Sequence, residues 1–167
     1  MSKNYWPELV FAHQHDAAVI SRATRRGTLK RLARGIYSGA VDQDSQTLVR
    51  RFIWQILGYA FPGCVLVDAS AMAADPLDND RLFIAHAKRQ EWVLPGITIV
   101  PRAGVTAVSG DTPMGHGVWL SSPPRVLLDY FALADHLRSA GLFHDWYRRR
   151  LAPESPATLE QLMARLP

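Results

Sequence analysis

Residues Ile20 to Gly39 read ISRATRRGTLKRLARGIYSG, with six cations (Arg22, Arg25, Arg26, Lys30, Arg31 and Arg34) and no acid. Asp16 is the last acidic residue before the stretch and Asp42 the first after it. Residues 17–26 contain neither Pro nor Gly and predict a short helix. Gly27 closes it, because a residue that tolerates positive φ suits the C′ position. Leu29-Lys30-Arg31-Leu32 then reads as a strand, Ala33-Arg34-Gly35 as a tight turn, and Ile36-Tyr37-Ser38 as a second strand. A helix followed by a small basic hairpin has the shape of a recognition helix and its wing. Such a helix enters a major groove while the hairpin touches phosphate or minor groove. An Arg-rich amphipathic helix also reads as a solvated face. Cations on both elements of one small unit favour nucleic acid.

The charge is unevenly placed along the 167 residues. Residues 1–40 carry seven basic and two acidic side chains, a net of +5, and the remainder nets −1. The basic character therefore belongs to the N-terminal module, and a polyanion is its natural partner. A hydrophobic content of 48% argues for a packed core and against global disorder. A single cysteine, Cys64, excludes an intrachain disulfide framework and a multi-cysteine zinc site. The opening MSKNYWPELV lacks the apolar core of a signal peptide, and no apolar run is long enough to span a bilayer. The expectation is a soluble cytoplasmic protein without membrane contact.

In chain order, residues 1–16 are expected to supply the first helix of the winged unit, with Pro7 in its first turn and Leu9, Val10 and Phe11 packing inward. Residues 38–46 read as a polar linker. Ser45 is expected to cap a helix over 46–60, whose apolar stripe is Leu48, Phe52, Ile56 and Tyr59. Strands are expected at 64–67, 81–86, 97–100 and 118–120, with a helical turn through Ala74 and a turn at Pro95-Gly96. Ser121 or Ser122 caps a further helix entered through Pro123 and Pro124. The acidic run Asp75–Asp80 is a turn by composition and lacks the glycine and distal Glu of a calcium loop. His13 and His15 are two apart, a poor metal pair on a helix. Trp146 to Arg150 forms a basic, aromatic patch, and Ser155-Pro156 opens a last short helix.

The motifs Leu29-Lys30-Arg31-Leu32, Arg34 and Gly35-Ile36-Tyr37 resemble the end of the winged helix-turn-helix that opens AbiEi-type antitoxins. These are the antitoxins of type IV toxin–antitoxin systems and related transcriptional regulators. The resemblance continues in four pieces, in order: Val67 to Ala73, Leu82 to His86, Pro95 to Ile99, and Ser122-Pro123-Pro124-Arg125-Val126-Leu127-Leu128-Asp129. It implies an α+β chain, with a winged helix-turn-helix over 1–42. A mixed α/β domain over 43–167, with a short sheet and flanking helices, would bind a cognate toxin or mediate self-association. Arg125 and Asp129, four apart, also suit a simple helical ion pair.

No glycine-rich phosphate loop and no nucleophile motif occurs. The expectation is a protein without catalysis, cofactor or metal. Some relatives of the resembled family fuse this module to a nuclease or a Fic-type transferase. A regulatory N-terminal part of a larger enzyme, or a protein-interaction module, is therefore the alternative reading. The leading expectation is a regulator of its own operon that binds double-stranded operator DNA, where a palindromic operator would favour a homodimer. Arg22, Arg25 and Arg26 would face the groove or its phosphates, Ser21 and Thr24 would add polar contacts, and Lys30, Arg31 and Arg34 would neutralise phosphate.

Overall fold

Asp16 starts the first helix. Its Oδ1 accepts from the N–H groups of Ala18 (2.7 Å) and Val19 (3.3 Å), two of the donors a helix start leaves unpaired. Helix α1 spans Ala17–Arg25. It ends where the glycine predicts: the Thr28 N–H returns to Ala23 O and the Gly27 N–H to Thr24 O, with Gly27 at φ 70. That bond pair is the Schellman arrangement, which needs the left-handed residue at C′. Strands β2 (Lys30–Ala33) and β3 (Ile36–Ser38) then form the hairpin, turning at Arg34-Gly35 with Gly35 at φ 77.

The computed structural model describes residues 6–74, 80–104 and 106–126. Within residues 6–16 no α-helix forms. Val10–Phe11 is instead strand β1, followed by a 3-10 turn at Ala12–Gln14. The reason is a better partner: Val10 pairs with Tyr37 and Phe11 with Ile36, so β3 becomes the middle strand of a three-stranded sheet, β1-β3-β2. The inward apolar residues of α1, Ile20 and Ala23, close a small core with Val10 and Leu29.

The second helix also differs from expectation. Asp44, not Ser45, supplies the cap: its Oδ2 accepts from the Thr47 N–H at 2.8 Å and from the Thr47 hydroxyl at 3.2 Å. The Thr47 N–H bond, as the first cause, holds the Asp44 carboxyl below its ordinary pKa. One long helix becomes two, α2 (Ser45–Arg51) and α3 (Ile53–Ala60), because Phe52 leaves helical geometry at φ −106 and ψ 15. Helix α2 lies against β7 and α3 against β9.

That sheet has six strands in the order β6-β7-β5-β4-β9-β8. In chain order they are β4 (Val65–Leu66), β5 (Arg81–Ala85), β6 (Trp92–Leu94), β7 (Ile97–Arg102), β8 (Thr112–Gly115) and β9 (Val118–Leu120). Helix α4 (Asp68–Ala73) follows β4. The sheet is mixed: β5–β7 and β4–β9 run parallel, the other pairs antiparallel. Edge strands β6 and β8 are additions to the strands expected from sequence. Residues 123–126 turn helical after β9. The Ser121 hydroxyl does not cap them; it donates to Leu66 O at 2.6 Å. The Asp75–Asp80 turn lies outside the described residues except for Asp80, as do the helix entered through Pro123 and Pro124 beyond Val126, the Trp146–Arg150 patch and the last helix.

A larger apolar core joins the hairpin to the six-stranded sheet. Leu32 and Ile36 of the hairpin share it with Leu48 and Val49 of α2, Ile56 and Leu57 of α3, and the six-stranded sheet. The Glu8 carboxylate, 3.1 Å from Arg51, fastens the N-terminal segment to α2. The turn between β8 and β9 sits on α3, and only a glycine allows it. A Cβ on Gly58 would stand 1.9 Å from the His116 carbonyl oxygen. Gly58→Ala is expected to cost about 3 kcal/mol, the upper range for overpacking against backbone. A urea midpoint equal to that of the wild type would contradict this approach.

Candidate nucleic-acid interface

At 100° per residue, Ile20 and Ala23 set the inward side of α1, so Ser21, Arg22 and Arg25 share the outward side. All three are exposed, as are Arg26 at the C-cap and Thr24 on the flank. Arg22 bonds back to the helix through Nε, 3.3 Å from Ala18 O. The Thr24 hydroxyl donates to Ile20 O at 2.9 Å, so it faces a ligand as an acceptor. Phosphate, which only accepts, is poorly suited to it.

The hairpin cations separate. Arg31 is exposed, with Nε 3.3 Å from Ala33 O. Lys30 is half-buried and its ammonium donates to the Gln43 carbonyl, turning it toward the segment that leads to α2. Arg34 stands exposed at the turn, beside the end of α3: a Cβ on neighbouring Gly35 would lie 3.2 Å from the Tyr59 hydroxyl. From Lys30 to Arg34 the chain covers roughly 13 Å at strand rise. The α1 cations and Arg34 therefore occupy opposite ends of β2.

Ten of the eleven described arginines fall into two groups, with Arg89 standing apart. Arg50, Arg51, Arg81, Arg102 and Arg125, all beyond the hairpin, each pair with a carboxylate: Asp80, Glu8, Glu91, Asp68 and Asp111. Arg22, Arg25, Arg26, Arg31 and Arg34 pair with none among the described residues. No family model matches this chain, and no curated protein and no solved structure matches it. What the surface can do follows from its own charges and geometry. Unpaired guanidinium groups on one helix and one hairpin can take phosphate oxygens as paired ones cannot.

Other groups that carry chemistry are engaged within the fold. Burial pushes the Cys64 thiol up to about 12, so it stays protonated at neutral pH. Burial also raises the Asp68 carboxyl, against the pull of Arg102 at 3.2 Å. Asp111 accepts from the N–H groups of Val108 (3.0 Å) and Ser122 (2.8 Å) and from Arg125 (2.7 Å). Burial pushes its carboxyl up, but these donors outweigh burial and leave it below the ordinary carboxylate range. Asp111 is thus a partner of Arg125; Asp129 lies outside the described residues. No group of three or more His, Cys, Asp or Glu is placed to hold a metal among the described residues. His13 instead stacks on Tyr59, 5.0 Å between ring centres. Among the described residues no helix is long and apolar enough to cross a membrane.

Sequence reasoning missed two cations. Lys88 and Arg89 lie in the near-neutral remainder of the chain, between β5 and β6, and are exposed. Their only sequence signal is their adjacency; their closeness to Arg34 comes from the fold.

Proposed function

We propose that the protein is a DNA-binding regulator, similar in kind to AbiEi-type antitoxins. Helix α1 and the β2–β3 hairpin act as a recognition helix and wing on duplex DNA, and the six-stranded sheet unit offers the surface for a protein partner such as a toxin. The observation that carries the reading is the division of the arginines. Among the described residues, the five in the 20–39 stretch lack carboxylate partners, while five beyond it are neutralised in place. Five like-charged guanidinium groups on a small surface favour a polyanion. Arg22 and Arg25 with Ser21 form the outward face for the groove, and Arg31 and Arg34 serve phosphate along the hairpin.

The test is fluorescence anisotropy of the purified protein with the duplex immediately upstream of its gene, against a scrambled duplex, over a salt series. The expected result is tighter binding to the upstream duplex, weakening log-linearly with salt by about 0.9 per phosphate contacted. Absent binding to either duplex overturns the reading and directs attention to an acidic protein partner. Equal binding to both leaves a non-specific DNA-binding protein and overturns the operator assignment.

A further inference from the structure

An open hollow of about 740 Å³ lies between the hairpin turn, the end of α3 and the β5–β6 connection. Arg34 reaches it from the hairpin, and Lys88 and Arg89 from the connection. Phe61 and Trp92 line it, their ring centres 5.8 Å apart. The Lys88 ammonium sits 5.3 Å from the centre of the Phe61 ring and donates to Ala60 O at 2.5 Å. That leaves two of its three protons for a ligand. Arg34 and Arg89 have no hydrogen-bond or ion-pair partner among the described residues. The one acid in the lining, Glu91, is held by Arg81 at 2.8 Å.

We propose that this hollow seats sugar-phosphate backbone, so that the duplex engaged by α1 continues past the hairpin turn onto the six-stranded sheet unit through Arg34, Lys88 and Arg89. The inference rests on the DNA-binding reading and extends its contact surface. Three physical points carry it. First, Arg89 breaks the rule of its own unit: each other described arginine beyond the hairpin has a carboxylate, and Arg89 has none among the described residues. Second, Arg34 belongs to both surfaces, at the hairpin turn and in the lining of the hollow. Third, three cations gather round one open hollow in which Glu91 is already paired with Arg81, an arrangement suited to phosphate oxygens.

The experiment repeats the anisotropy salt series on the full chain with the upstream and scrambled duplexes. Lys88→Ala with Arg89→Ala is expected to lower the salt slope by about 2 and to weaken both duplexes about tenfold. The preference for the upstream duplex should persist, because phosphate contacts carry no sequence information. Arg89→Glu is the second variant. Arg89 is exposed and unpartnered, so the fold tolerates the change, and like-charge repulsion should weaken binding at least as much. Wild-type slope and affinity in both variants, with the wild type still binding, overturns the hollow as a backbone site and leaves the α1–hairpin reading intact. Loss of preference without a change in slope would also overturn it, as a base-reading effect. A wild type that binds neither duplex overturns both readings together.

Discussion

Replacing Arg22, Arg25 and Arg26 together by alanine is expected to weaken binding to the upstream duplex by at least about a hundredfold and to lower the salt slope by about three. All three side chains are exposed, and none has a carboxylate partner among the described residues. The one bond lost inside the protein is the Arg22 Nε contact with Ala18 O. Alanine is the best helix former, so α1 should persist in the variant. The inward residues Ile20 and Ala23 and the Gly27 stop are untouched. Loss of binding with an unchanged circular dichroism spectrum and urea midpoint therefore isolates the electrostatic role. A triple variant that keeps wild-type affinity and slope would remove α1 from the interface. Unlike the hollow, α1 should also affect choice between duplexes, because outward residues of a groove-bound helix reach base edges.

The second large effect belongs to stability. Asp111→Ala should cost about 3 kcal/mol at neutral pH, because it removes a buried acceptor for two backbone N–H groups and one guanidinium bond. The Asp111 side chain is fully buried and the Arg125 side chain 11% exposed. The same carboxylate also receives the Val108 and Ser122 N–H groups. It ties the loop before β8 to the start of the helical turn after β9. The sign of the pH dependence follows from the lowered carboxyl. The folded pKa lies below the unfolded value of about 3.9, so the contribution is complete above that value. It is lost as pH falls from there through the folded pKa. Urea midpoints at neutral pH and near pH 3 should therefore converge between wild type and Asp111→Asn, which cannot titrate. Equal separation at both pH values, or a neutral-pH cost within about 0.5 kcal/mol, would deny the pair its role.

Much of the chain is legible without coordinates where one local force dominates. Helix α1 has an amphipathic pattern, an acidic N-cap and a glycine at C′, and each acts within a few residues. The hairpin has its turn glycine. Strands β4, β5, β7 and β9 are short apolar runs bounded by turn residues, and they form within a residue or two of where those boundaries put them. What stayed hidden depends on partners far away in sequence. Val10 and Phe11 read as the apolar side of a helix until β3 offers them a ladder. Thr112–Gly115 has little strand character of its own and becomes β8 only by pairing with β9. Phe52 sits on a perfect apolar stripe, yet one helix becomes two there, α2 against β7 and α3 against β9.

The candidate site divides in the same way. By itself the sequence determined where the positive charge lies, because charge placement along a chain is set by residue identity alone. It concentrated six cations between Ile20 and Gly39 and left the rest near neutral. Only the tertiary structure decided which of those cations are free. Lys30 turns to the Gln43 carbonyl, while five arginines beyond the hairpin find carboxylates as near in sequence as Glu91 is to Arg81 and as distant as Glu8 is from Arg51. It also brought Lys88 and Arg89 beside Arg34, more than fifty residues away in the chain. Ion pairing acts over a few ångströms in space, and sequence separation does not report that distance until the sheet and its helices have closed around their common core.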